Sequence, residues 1–266
     1  MRNQASSERR GLLRLLVGII LRPRATFQYL AGEGRWRWWI PALLAAVMVV
    51  MPIVVATPIN TRQALEALKT TQEMLNQQTL SPEQQQQMEQ AQKMVTSPLF
   101  ITVFPSITAV LGLAVGWLAW AGALYLIGIV IGGPASFGDL FRMVVWAWIP
   151  YTLRGFLQTL YILLAGQTIA HPGLSGLVAS PQGVKEMLTA PPTMGQMVVL
   201  ALLSRIDLFL FWNLALLVVG TIVVTRLSPR KAAALVLGIW VLFTLMGLIP
   251  TLISSLFMGQ VTTVGG

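Results

Sequence analysis

Very few side chains in this 266-residue sequence could take part in chemistry. There is a single histidine, His171, and no cysteine, which excludes disulfides, thiolate metal sites and cysteine nucleophiles. A metal on His171 would need Asp and Glu for its other ligands, and the acids form no tight cluster along the chain. Gly173-Leu174-Ser175-Gly176 sets a serine between glycines, four residues after His171. On a helix the two would share a face, as a nucleophile and its base must. Pro172 and the glycines mark a loop instead, outside the apolar runs, and no third group orients the pair. No glycine loop followed by Lys would cradle a phosphate, and no dinucleotide fingerprint occurs. The expectation is a non-enzymatic chain without metal or cofactor.

Three charges inside apolar stretches carry more information: Arg154, Arg205 and Asp207. A charge at mid-membrane costs about 2.5–3.5 kcal/mol on insertion scales and marks structural or functional pairing. On one continuous helix, Arg205 and Asp207 point in different directions and cannot pair with each other. Their open readings are exposure at the external interface, pairing between helices, or a transport pathway. Arg154 has apolar-rich sequence on both sides, and Asp207 is the one acid in any apolar run. The two are therefore expected to meet. Counting depth along straight helices leaves a mismatch, roughly 27 Å for Asp207 against about 16 Å for Arg154 from the inner membrane edge.

The elements that would position these charges are membrane spans. Of all residues 55% are hydrophobic and 10% charged, where a soluble domain carries about 25% charged residues. Mean hydropathy is +0.71. A spanning helix needs roughly 20 apolar residues, and five runs qualify: Trp38–Thr57, Leu99–Ile131, Met143–Ala165, Met197–Thr225 and Ala232–Met258. Helices are the natural form in lipid, which offers backbone groups no water. The fold class is all-α, a bundle of five transmembrane helices. Gly112-x-x-x-Gly116 in the second span, with Gly122 and Gly128 beyond, would let helices approach closely.

Net charge is +9, with eight of the 18 Lys and Arg residues before residue 38. That clustering beside the first span is a membrane flank, with no basic and aromatic stripe for nucleic acid. With the N-terminus inside, inner segments carry twelve basic residues and outer segments four. The bias favours a cytoplasmic N-terminus and an external C-terminus in the cell membrane. Trp36, Trp38, Trp39, Trp146 and Trp148 fall at the expected inner boundary. Residues 11–21 read as a helix lying in the cytoplasmic interface, or alternatively as a plain cytoplasmic helix. Arg9, Arg10, Arg14, Arg22 and Arg24 would contact anionic lipid or a cytoplasmic partner. The apolar stretch is short, interrupted by Arg14 and without a small-residue cleavage site, unlike a signal peptide.

Domain organisation follows: a basic arm at 1–37, a membrane domain at 38–258, and an external tail at 259–266. The 59–98 loop is rich in Gln and has no aromatic residue. Thr61 reads as the cap of one helix and Ser81-Pro82-Glu83 as the start of another. They form an external hairpin, either a solvated spacer or a docking element. The 166–196 loop reads as irregular. Trp120 and Ile149-Pro150 in one pair of spans match Trp212 and Ile249-Pro250 in the next, by duplication or by chance.

Three fragments carry a family resemblance. They are Pro23-Arg24-Ala25-Thr26-Phe27 leading to Trp39-Ile40-Pro41, then Ile149-Pro150-Tyr151, then Asp207-Leu208-Phe209-Leu210-Phe211-Trp212 followed by Leu216 and Gly220. In order and spacing the chain resembles the Yip family, Ypt/Rab-interacting membrane proteins, in its bacterial branch. The resemblance implies five spans with a cytosolic N-terminus, and a membrane adaptor or organiser rather than a defined reaction. Eukaryotic relatives contact Rab-type GTPases; this chain departs from them, with no Asp-Leu-Tyr-Gly-Pro element before the first span and only a short cytoplasmic arm. Expected partners are the bilayer with anionic lipid at its cytoplasmic face, and a membrane protein or a second copy. The alternative is a small-solute transporter or channel component using Arg154 and Asp207.

Overall fold

The computed structural model describes residues 11–32, 37–75, 90, 93–94, 96–178, 193–250 and 252–253. Arg9, Arg10, Trp36, the helix start at Ser81 and the tail at 259–266 lie outside them. The described residues are helical and contain no strand. In chain order the helices are α1 (Leu12–Leu21), α2 (Pro23–Ala31), α3 (Trp39–Leu75), α4 (Phe104–Val130), α5 (Phe137–Ala147), α6 (Ile149–Ala165), α7 (Met194–Leu203), α8 (Leu208–Thr225) and α9 (Pro229–Met246). A π turn, Leu99–Val103, leads into α4, and a 3-10 turn, Gly173–Leu177, lies between α6 and α7.

Among the described residues, four helical stretches are long and apolar enough to cross a membrane: Trp39–Thr70, Leu99–Val130, Leu208–Thr225 and Pro229–Met246. The shorter two have 18 residues, about 27 Å of helix against a hydrocarbon core of about 30 Å. The outward surface of Leu99–Val130 is apolar to a degree water would not tolerate: Leu111 is 60% exposed, Val115 63%, Leu126 65% and Val130 84%. This is a multi-pass membrane protein.

The expected third span is not one helix. It divides into α5 and α6 at Trp148, two residues before Pro150. Proline has no N–H to donate to the Trp146 carbonyl, and its ring crowds that carbonyl, so the ladder stops. The expected fourth span divides as well, into α7 and α8, with Ser204–Asp207 between them. Arg205 and Asp207 therefore do not share a continuous helix, and the depth count based on straight spans does not apply. Nor does the first long helix end at Thr57. Helix α3 continues to Leu75, and Thr61 is inside it, its hydroxyl donating to the Thr57 carbonyl at 2.8 Å rather than capping a new helix. Pro52 and Pro58 are both within α3.

By its contacts the chain forms two compact units, each assembled from three segments. The first comprises Met1–Leu43, Trp117–Pro150 and Trp212–Ile239. Its core holds Leu15, Ile19, Phe27, Leu124, Leu140, Val144, Leu217 and Val236, all at or near zero exposure. Trp146 belongs to this core at 1% exposed, so it is not an interfacial tryptophan. Trp38, by contrast, is 36% exposed and meets the Phe141 ring edge-on at 5.5 Å. Helix α5 is capped by Ser136, whose hydroxyl oxygen accepts from the Asp139 N–H at 3.2 Å.

The second unit comprises Leu44–Gly116, Tyr151–Phe211 and Trp240–Gly266. Here Gly155 of α6 approaches the Met48 carbonyl of α3 so closely that any Cβ would collide with it. Pro52 is the residue that would have donated to that carbonyl, so the contact falls where the ladder of α3 has a gap. The Thr57 and Thr102 hydroxyls share a hydrogen bond at 2.7 Å. The glycines of α4 do not act as expected. A Cβ at Gly112, Gly116, Gly122 or Gly128 would meet nothing within 4 Å, so no neighbour fills the space beside them, although Gly128 is buried and its carbonyl accepts from the Gly133 N–H at 2.8 Å.

Candidate functional site

The break between α7 and α8 involves three charged residues of the second unit, Arg154, Arg205 and Asp207. Asp207 stands immediately before α8. Its Oδ1 accepts from the Leu210 N–H at 2.8 Å, which makes it the cap of that helix. Its Oδ2 lies 3.0 Å from Nη1 of Arg154 on α6, an ion pair with side chains 13% and 31% exposed. One carboxylate thus satisfies a helix N-terminus and a guanidinium together.

Arg205, two residues away, serves the opposite kind of helix end. Its Nη2 donates to the Gly247 carbonyl at 2.7 Å and its Nη1 to the Thr244 carbonyl at 3.3 Å. These oxygens belong to the last turn of α9 and the residue after it, where carbonyls lack intrahelical donors. The structure therefore brings Arg154 and Asp207 together and sends Arg205 elsewhere.

The turn at 204–207 is held from outside by the segment containing the glycine-flanked serine. Leu174 N–H donates to the Ile206 carbonyl at 3.0 Å. Gly173, at φ 63°, comes close enough to the Leu203, Ser204 and Ile206 carbonyls that a Cβ would stand 2.7–2.9 Å from them. Ser175 is 2% exposed and its hydroxyl donates to the Pro172 carbonyl at 2.6 Å. The sequence Gly173-Leu174-Ser175-Gly176 is thus a clasp over the break, and its serine hydroxyl is committed to the backbone.

In the first unit the polar residue that sequence reasoning undervalued is Asn213. It is 2% exposed, and its Nδ2 donates to the Ala147 carbonyl at 2.8 Å, at the end of α5. Each Ile-Pro pair thus follows a helix end, and side chains from residues 205–213 supply donors to both ends. The available signal was Pro150 itself, which implies an unsatisfied carbonyl upstream.

The basic arm is a pair of packed helices, α1 on α2, with α2 against α5. Leu15 and Ile19 of α1 are buried, while Leu13 at 78% and Leu21 at 72% are exposed. Arg14, Arg22 and Arg24 are exposed. Thr26 is 1% exposed and donates to the Arg22 carbonyl at 3.0 Å, and the ring of Phe27, also 1% exposed, meets Gly220 of α8. A Cβ at Gly220 would stand 2.5 Å from Met143 Sδ and 3.3 Å from Phe27 Cζ.

These residues, Thr26-Phe27, Ile149-Pro150 and Asp207 through Gly220, are the fragments that carried the family resemblance, and each has a structural task. The Yip1 domain matches residues 17–250. This chain belongs to the Yip1 domain family. The matched region runs from the middle of α1 past the end of α9, so it includes both halves of the arm's packing and all the charged contacts above. No curated protein and no solved structure matches the chain. Within this Yip1 domain, the polar residues of the helices act first on backbone ends and on one another.

Proposed function

We propose that this Yip1-domain chain is a non-enzymatic membrane adaptor or organiser of the cell membrane, with its basic end cytoplasmic and its C-terminus external. The observation that carries this reading is the use made of the intramembrane polar groups. Arg154 is spent on Asp207, Asp207 also on α8, Arg205 on the end of α9, and Asn213 on the end of α5. Polar groups used this way fix helix ends within each unit, and helices fixed so suit a scaffold that presents surfaces to partners. The basic arm supplies the peripheral contact, with its exposed Leu13, Val17 and Leu21 face toward the interface and Arg side chains toward anionic head groups. The working partners are anionic lipid and either a membrane protein or a second copy of the chain.

Two measurements test this. Co-purification from native membranes in mild detergent, with mass spectrometry, should recover a stoichiometric partner that Arg154→Ala does not remove unless the fold is lost. Purified protein in proteoliposomes should pass no small ions or solutes above the lipid background. Solute flux abolished by Asp207→Asn in a folded protein would overturn the adaptor reading in favour of a transport pathway.

A further inference from the structure

The first unit contains a cleft of about 880 Å³ between the start of α2 and the end of α8. Arg22 and Arg24 line one side and Arg226 the other, while Val219, Ile222 and Val223 form an apolar wall. No acid lines it. Three arginines lining one concavity repel one another unless an anion lies between them. The first turn of α2 adds to the demand. No side chain caps it and it carries no acid, so its amide ends favour a negative group.

Arg226 shows a second oddity. Among the described residues it is the one non-glycine with positive φ, at 55°. Its N–H donates to the Ile222 carbonyl at 3.0 Å, ending α8. Glycine is the residue that suits this position after a helix. An arginine here accepts backbone strain and sets a guanidinium at the rim.

We infer that this cleft is a stoichiometric site for one anionic phospholipid, the phosphate against Arg22, Arg24 and Arg226 and an acyl chain along Val219, Ile222 and Val223. Those three apolar residues are spaced i, i+3 and i+4, one face of α8. A free phosphate would leave that face unused. Diffuse attraction of lipid to the arm would not need Arg226, which is about 200 residues away in sequence. The site deepens the lipid contact of the proposed function and rests on the membrane reading, but not on the adaptor assignment.

Native mass spectrometry of the full chain in non-ionic detergent, titrated with phosphatidylglycerol, tests it. One phosphatidylglycerol should bind per chain, and phosphatidylcholine should bind at least tenfold more weakly. Arg226→Gly fits the backbone better, so its melting temperature should be unchanged or raised. Its phosphatidylglycerol affinity should fall by roughly tenfold, the loss of one charge-assisted contact. Arg24→Gln should do the same. Arg230→Gln/Lys231→Gln, which removes two nearby charges outside the cleft, should bind as the parent does. Millimolar inorganic phosphate should not displace the lipid. Equal binding of phosphatidylcholine, an equal loss in the Arg230/Lys231 control, or displacement by phosphate would each overturn the site. Binding of vesicles of neutral lipid and phosphatidylglycerol by Arg226→Gly should persist, because the arm remains. Loss of vesicle binding alone would count against the arm and leave the cleft standing.

Discussion

Removing the Asp207 charge separates two roles that one carboxylate performs. Asp207→Asn keeps an oxygen for the Leu210 N–H and deletes the partner of Arg154; Asp207→Ala deletes both. At 3.0 Å and an effective dielectric near 20, the Coulomb term of the pair is about 5 kcal/mol. Arg154 is 31% exposed, so screening and side-chain entropy reduce the coupling to about 1–3 kcal/mol. Asp207→Ala should cost about 1 kcal/mol more than Asp207→Asn, the usual worth of an N-cap. The assay is equilibrium unfolding in mixed micelles by tryptophan fluorescence, on a cycle of Arg154→Ala, Asp207→Asn and the double substitution. The double variant should be more stable than the sum of the singles requires, because neither charge is then left alone. Additivity within about 0.5 kcal/mol would refute the coupling.

Other substitutions address separate contacts. Gly220→Val should destabilise by about 1–3 kcal/mol through collision with Met143 and Phe27, and Met143→Ala should recover part of it in a thermal melt. Asn213→Leu leaves the Ala147 carbonyl without its 2.8 Å donor and should cost about 1–3 kcal/mol by denaturant unfolding. Gly116→Ala meets no neighbour and should leave the melting temperature unchanged or raised, since alanine is the better helix former by up to about 1 kcal/mol; a large loss would show a contact made only by an assembled form. Reporter fusions after Arg37, after Pro229 and at Gly266 should read cytoplasmic, cytoplasmic and external, and a cytoplasmic C-terminus would sink the orientation.

Hydropathy sees where backbone must be buried in lipid, and it located the stretch formed by the π turn and α4 to within a residue: Leu99–Ile131 expected, Leu99–Val130 found. It is blind to breaks inside an apolar run, because residues on both sides of Trp148 and of Arg205 are equally greasy. Those breaks were written in other signals. Pro150 removes a donor, and Asp207 ahead of an unbroken apolar stretch is a helix-start signature. Length hides them, because each run is long enough for one span. Thr61 misled in the opposite direction. A threonine can cap a helix or return its hydroxyl to the carbonyl four residues back, and the sequence does not say which. That Arg154 and Asp207 meet was legible from desolvation cost alone. The hold of Arg205 on α9 was not, since backbone carbonyls have no letter in a sequence.

The contacts around the α7–α8 break also have an order in time. Arg154 precedes Asp207 in the chain, so the acid meets a partner already made as soon as it emerges. Arg205 must wait for Thr244 and Gly247, 39 and 42 residues later. At about 5–20 residues per second, that interval is on the order of 2–8 s. During it the guanidinium has to remain at the membrane surface or in the insertion machinery. The last helix therefore completes the fourth segment rather than merely following it, and a ribosome stalled within α9 would leave a chain whose charge is settled at one end of the break and unsettled at the other.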